Sequence, residues 1–160
     1  MISKQDLITL ATKEFETTHK VLNAYPEGKD DFKPHERSSD ALKLVSTFVF
    51  EMYLTDKYLF GAETSPTKFK DYTPGEVKKA REDFKVEADT VLAKLADITN
   101  ADMATMVEFA GKSYTKADFL HMMIHDQIHH RGQLTVYIRM AGGKVPSIYG
   151  PSADDPSTNL

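Results

Sequence analysis

Four long segments with helical periodicity dominate this chain, and they limit its fold more than any other feature. In each segment apolar residues recur every three or four positions, which marks one buried face of a helix. No stretch shows the sustained two-residue alternation of a half-buried strand. The pattern predicts an all-α domain with helices over about residues 3–24, 39–60, 74–98 and 116–141.

Local signals predict where these helices begin and end. Ser3 is a candidate N-cap for the first helix. Thr73, with Glu76 three residues later, offers a capping box for the third helix. Thr115 is the candidate N-cap of the last helix, and Gly142 marks its end.

Two stretches do not fit a helix. The pattern over residues 106–113 predicts a short extended segment followed by a turn, between the third and fourth helices. Three prolines after the last helix predict a non-helical C-terminal tail that packs on the helices at first. We expect residues 151–160 to fray, so that the ordered bundle covers about residues 3–150.

Length and composition limit the possible functions. A chain of 160 residues fits one domain, here expected over residues 1–160. Its net charge of −4 is spread without a basic face, so we expect no nucleic-acid partner. No apolar run approaches the ~18 residues of a membrane span and no leader opens the chain, so we expect a cytoplasmic protein without a membrane partner. Because the chain has no cysteine, any metal must bind to His, Asp, Glu or water.

The main chemical signal is a histidine cluster in the last helix. Spacings of four residues place Asp126 with His130 on one helix face and His121 with His125 on another. A helical wheel places His130 in the middle of an apolar arc and Asp126 about 40° to its side. The residues that define this arc are Phe119, Met123, Leu134 and Tyr137.

Two interpretations of these residues stay open at this point. His130 is either a core histidine held by a hydrogen bond or a metal ligand, with Asp126 as its partner or a second ligand. The remaining cluster histidines point outward on the wheel. With Ile124 and Ile128 beside them, they suit a homodimer contact, or an ion held between two subunits. The helix-breaking Gly132 suggests that another backbone approaches closely there.

Two sequence stretches resemble the DinB family, the DinB/YfiT group of small helical proteins. They are Asp-Gln-Ile-His-His-Arg-Gly-Gln-Leu at residues 126–134 and Val-Pro-Ser-Ile-Tyr-Gly-Pro-Ser at residues 145–152. The resemblance implies a four-helix bundle with a long crossover, and commonly a homodimer. It also implies a divalent metal on three histidines, one from helix two and two from helix four.

The metal ligands of the family match this chain only in part. The histidine before Arg-Gly-Gln is His130, the residue that the wheel turns inward. The second ligand falls at Asp126, and the ligand from helix two falls near Thr47, where no histidine occurs. Glu51, one turn further, is the nearest replacement. The resemblance thus suggests a set of His130, Asp126 and Glu51 that could bind Zn, Ni, Mn or Fe with water.

The resemblance implies a metal-dependent enzyme that activates a small-molecule thiol and transfers it to an electrophile, or that hydrolyses a small-molecule substrate. Any such thiol must come from a cofactor, because the chain has no cysteine. The alternative is a non-catalytic homodimeric bundle with a degenerate metal site, related to stress or binding a small ligand between its helices. The absence of a histidine from helix two favours this alternative.

Overall fold

Helices make up most of the computed structural model, which describes residues 3–61 and 72–156. The four predicted helices are all present, and a short helix and a two-stranded hairpin add to the expected all-α class. Within these residues, no helix has both the length and the apolar character needed to cross a bilayer. The elements are α1 (Lys4–Asn23), α2 (Ala41–Phe60), α3 (Val77–Asp97), α4 (Asn100–Met103), β1 (Met106–Phe109), β2 (Lys112–Thr115) and α5 (Lys116–Met140).

The four long helices enclose one apolar core. α1 packs mainly against α3 and α5, and α2 packs mainly against the same two helices. α1 and α2 are consecutive in the sequence but contact each other little, so the loop over residues 24–40 joins two opposite corners. At the centre, the rings of Phe48 and Phe84 meet edge to face with centroids 6.3 Å apart. α5 therefore has α1 on one side and α2 on the other.

The start of α3 differs from the prediction. Glu76, and not Thr73, is the N-cap, and the Glu76 side chain makes no capping hydrogen bond. The first helical N–H, of Val77, instead donates to Oδ1 of Asp30 at 2.6 Å. The predicted capping box is therefore wrong, because a carboxylate from a distant loop satisfies this end of the helix. Ser3 and Thr115 do cap α1 and α5 as predicted.

The stretch predicted as extended forms an antiparallel hairpin. Ala110 and Gly111 connect its strands with positive φ angles of 50° and 75°, which is typical of a type I′ turn. Phe109 of β1 packs against Tyr58 of α2 and Phe119 of α5, with ring centroids 5.4 Å apart in both pairs. The hairpin therefore covers one end of the α2–α5 contact. Its register pairs Met106 with Thr115, Val107 with Tyr114, Glu108 with Ser113 and Phe109 with Lys112.

The C-terminal tail is non-helical and packs on the preceding residues. Oδ2 of Asp154 accepts hydrogen bonds from Nε of Arg139 at 2.8 Å and from the N–H of Val145 at 3.0 Å. Oδ2 of Asp155 accepts one from the N–H of Ser147 at 3.0 Å. We expected the chain to fray from residue 151, but these hydrogen bonds hold Asp154 and Asp155 in place. Residues 157–160 lie outside the described part of the chain.

The contact between Asp30 and α3 can be tested by substitution. We expect Asp30→Ala to lower the free energy of unfolding by about 1 kcal/mol, because the N–H of Val77 loses its capping oxygen. Urea denaturation followed by circular dichroism measures this change. The exposed neighbour Asp31 provides the matched control, Asp31→Ala, which should leave stability nearly unchanged. Equal effects of the two substitutions would contradict the assignment.

Candidate metal site

Glu51 is a buried carboxylate at the contact between α2 and α5. Its side chain is 2% exposed, and most of the other buried residues of α2 are apolar. Oε1 of Glu51 lies 2.6 Å from Nδ1 of His130, within hydrogen-bonding distance. Oε2 of Glu51 is buried and has no hydrogen-bond partner among the described residues. A buried carboxylate oxygen without a hydrogen-bond partner lowers the stability of the fold, and a bound ligand would satisfy this oxygen.

Asp126 completes a cluster of three side chains. Its Oδ1 lies 3.9 Å from Nδ1 of His130, one turn away on α5, and its side chain is 46% exposed. Glu51, Asp126 and His130 each offer one ligand atom, and these atoms all lie within 4.8 Å of one another. The structure therefore brings together the three residues that the sequence analysis selected. Two carboxylates and an imidazole are donors that divalent transition metals accept.

Burial and close contact perturb the acid–base properties of the cluster. Burial raises the pKa of Glu51 to about 7, although the hydrogen bond and charge of His130 act in the opposite direction. The hydrogen bond to Glu51 raises the pKa of His130, and burial opposes that shift. Perturbed pKa values of this kind cluster at functional sites.

A cavity of about 490 Å³ lies beside Glu51 and Asp126. Its walls are mainly apolar, and the hairpin contributes to them through Phe109. The cavity has the size of a small-molecule site, and two members of the cluster, Glu51 and Asp126, belong to its lining. It is lined by Thr47, Phe50, Glu51, Leu54, Phe109, Met122, Met123, His125, Asp126 and His129. We call it the apolar cavity.

The remaining histidines of α5 lie toward the surface, as the wheel indicated. His125 and His129 are exposed, yet both also line the apolar cavity. The expected apolar seam beside them is wrong at Ile124, which is 0% exposed inside the monomer core. The wheel misplaced Ile124 because it located the buried face from four apolar residues alone. The actual buried arc is centred about 50° from His130, which lies at its edge.

Gly132 does not have the neighbour that we expected. A Cβ built on Gly132 would meet no atom of the described residues within 4 Å, so no backbone in this part of the chain approaches it. Gly132 is exposed on the outer side of α5. The expectation of close approach is wrong within the monomer.

A buried polar network on the side of α5 that faces α1 was not predicted from the sequence. Nη2 of Arg131 donates to Oε2 of Glu14 on α1 at 2.6 Å, and both side chains are nearly inaccessible to solvent. The hydroxyl of Tyr149, in the tail, donates to the same Oε2 at 2.7 Å. Nη1 of Arg131 also contacts Oγ1 of Thr18 at 3.3 Å, and Thr18 contacts Gln127 at the same distance.

The sequence did contain a signal for this network. Glu14 lies on the buried stripe of α1, between Ala11 and Thr18. A charged residue at a core position needs a buried partner of opposite charge. Gln127 and Arg131 lie four residues apart in α5, so they share a face. The signal for this network was therefore a polar residue on the buried face of each helix, Glu14 on α1 and Arg131 on α5.

Comparison with known proteins identifies the relatives of this chain. The sequence model of the DinB family matches residues 8–159. A DinB-like protein from Bacillus cereus ATCC 10987 has a similar structure, with a TM-score of 0.77 and 24% identity, over 91% of this chain and 97% of that one. The DinB-like protein YjoA of Bacillus subtilis gives a TM-score of 0.71 and 20% identity, over 89% and 96% of the two chains. At these identities the likeness concerns the fold alone.

Two curated proteins of Bacillus subtilis strain 168 match parts of the chain. The uncharacterized protein YrdA is 39% identical over 57 residues, which are 36% of this chain and 34% of YrdA. The uncharacterized protein YizA is 34% identical over 80 residues, 49% of this chain and 50% of YizA. The match thus spans a third to a half of each relative's length.

The Arg131–Glu14 pair makes a testable contribution to stability. Arg131→Met should lower the free energy of unfolding by about 3–5 kcal/mol, because it leaves the carboxylate of Glu14 buried without its cation. The double variant Arg131→Met/Glu14→Met should recover much of this loss, since both charges are removed. Denaturant unfolding of the single and double variants measures both effects. A loss below about 1 kcal/mol in the single variant would show that the pair is not buried.

Proposed function

This chain belongs to the DinB family, and we propose that it binds a divalent metal through Glu51, Asp126 and His130. We propose further that it is an enzyme for a small-molecule substrate, a thiol-dependent transferase or a hydrolase. The observation that carries the metal proposal is the convergence of three ligand atoms within 4.8 Å around a buried carboxylate. The reaction class follows from the family resemblance.

The donors of this cluster fit a metal ion. Oε2 of Glu51 lacks a partner in the described part of the chain, and a cation would satisfy it. The mixed set of oxygen and nitrogen atoms suits Zn, Mn, Fe or Ni, with water completing the coordination. Two carboxylates would balance the charge of a divalent ion. The set differs from three histidines, so we expect its metal preference to shift toward ions that favour oxygen ligands.

The residues of the chain would have separate roles in the reaction. When bound, the metal would lower the pKa of a thiol or a water and so supply a nucleophile near neutral pH. Glu51 and His130 are held by burial and by their mutual hydrogen bond, which keeps both side chains oriented. Asp126 faces the apolar cavity and is accessible to an incoming molecule. Phe50, Phe109 and the other apolar walls would exclude water from a bound substrate.

The alternative function has one observation in its favour. The direct contact of Glu51 with His130 satisfies both groups in part without any ion. In that case the chain is a non-catalytic DinB bundle that binds a small ligand, and the metal site is degenerate. Metal content separates the two functions.

Metal binding is tested on protein made without an affinity tag. The purified chain should contain, or take up, about one divalent ion per monomer, measured by elemental mass spectrometry and titration calorimetry. Glu51→Gln and His130→Ala should weaken binding at least tenfold, because each removes one ligand of three. His129→Ala is the matched control, since His129 is an exposed imidazole of the same helix. A metal-free wild type, or an equal loss in the control, would contradict the proposal.

We also propose that the chain is a four-helix bundle with a long crossover, that it is cytoplasmic and that it forms a homodimer. The outer face of α5 supports the dimer, since Val136 and Met140 are 51% and 56% exposed there and Gly132 leaves room for a neighbouring helix. We expect light scattering to give a mass of two chains of 18.0 kDa each.

Substitution of this face tests the dimer. Val136→Lys/Met140→Lys should yield a monomer, because buried lysines would oppose association. The control Val86→Lys, at an exposed apolar residue of α3, should remain dimeric. A monomeric wild type at micromolar concentration would contradict this part of the proposal.

A further inference from the structure

A second cavity, of about 480 Å³, lies on the other side of His130. Its lining is polar and basic, and none of the described residues that line it is acidic. The lining residues are Arg37, Ser38, Ser39, Lys43, Leu44, Thr47, His130, Gln133, Val136 and Tyr137. We call it the basic cavity.

The two cations of the basic cavity, Arg37 and Lys43, have no ion-pair partner among the described residues. Neither Arg37 nor Lys43 makes an ion pair with a described carboxylate, whereas Lys94 contacts Asp56 at 2.5 Å. The two serines and Gln133 add hydrogen-bond donors next to these cations. Arginine in particular presents a planar pair of N–H groups that matches a carboxylate or a phosphate. The cavity thus has the chemistry of an anion site.

The loop that carries these residues is fixed to the helices. The hydroxyl of Tyr137 on α5 donates to the carbonyl of Ser39 at 2.8 Å. The N–H groups of Ala41 and Leu42 donate to earlier carbonyls of the same loop, at 3.0 and 2.9 Å. The backbone under Arg37 and Lys43 is therefore held in place, and binding there would require little additional ordering.

The basic cavity and the apolar cavity meet at the candidate metal site. Thr47 lines both cavities. His130 lines the basic cavity and contacts Glu51, which lines the apolar one. The family resemblance places its helix-two histidine near Thr47, so this departure from the family pattern lies where the two cavities meet.

We propose that the basic cavity binds the anionic group of an amphiphilic small molecule, a carboxylate or a phosphate, whose apolar body lies in the apolar cavity. The molecule would pass the cluster of Glu51, Asp126 and His130, so the proposal names the substrate class of that site. Only the statement that this molecule is a substrate rests on the proposed function, because its binding requires no metal.

Charge also fixes the orientation of such a molecule. The described lining of the apolar cavity includes the acidic residues Glu51 and Asp126 and no lysine or arginine, so it offers a carboxylate no such cation. At the opposite end, Arg37 and Lys43 attract it. A neutral molecule with the same apolar body would lack this preference.

The test compares hexanoate and hexyl phosphate with the neutral probe hexanol. Titrations of the ¹⁵N-labelled full chain, followed by amide chemical shifts, are run on the protein as isolated and again with EDTA. We expect both anions, or one of them, to bind about tenfold more tightly than hexanol and to shift amides around Ser38 and Lys43. The anion that binds more tightly shows whether the basic cavity prefers a carboxylate or a phosphate. Added salt should weaken binding of the anions but not of hexanol.

Variants assign this preference to the basic cavity. Arg37→Gln/Lys43→Gln should reduce anion binding about tenfold and leave hexanol binding unchanged. The control Lys33→Gln removes an exposed cation of the same loop that does not line the cavity, and it should behave as wild type. Equal binding of hexanoate, hexyl phosphate and hexanol, no saturable anion binding, or an unaffected double variant would each overturn the proposal. These outcomes in EDTA are independent of whether the metal site binds an ion.

Discussion

Two buried glutamates, Glu14 and Glu51, need partners, and helix α5 supplies both from adjacent residues. Arg131 contacts Glu14 on α1, and His130 contacts Glu51 on α2. Adjacent residues of a helix point about 100° apart, so one position on α5 can serve two neighbouring helices. The packing of α5 between α1 and α2 therefore depends on this pair of charged contacts as well as on the apolar core. Displacing α5 would separate two buried carboxylates from their basic partners, Arg131 and His130.

The two glutamates differ in how fully they are satisfied, and this difference separates structure from chemistry. Glu14 accepts hydrogen bonds from Arg131 and from the hydroxyl of Tyr149, which also ties the tail to α1. Glu51 has a partner for Oε1 but none among the described residues for Oε2. A carboxylate whose charge is matched by a buried guanidinium has a structural role, whereas a carboxylate with a spare buried oxygen has capacity for a ligand. The apolar cavity lies beside Glu51, so a ligand of this carboxylate would have space next to it.

Part of this could be predicted from residues alone. Capping residues and apolar periodicity located the long helices, and the extended stretch proved to be a hairpin. The wheel put His130 and Asp126 near one another because they are one turn apart. It failed at Ile124, and it overlooked Arg131, because it counted only apolar residues as buried. A polar side chain with a buried partner is as much part of the core as a leucine, and its partner is visible only in three dimensions.

The sequence by itself determined the long helices, the N-caps of α1 and α5 and the turn of the hairpin, since these depend on contacts between residues a few positions apart. It also determined that no thiolate of this sequence can hold a metal, because no cysteine is present. Only the tertiary structure decided that Asp30 caps α3, that Glu51 meets His130 and that cavities of opposite character flank them. Each of these contacts joins residues far apart in the chain, and their distances depend on which helices are neighbours.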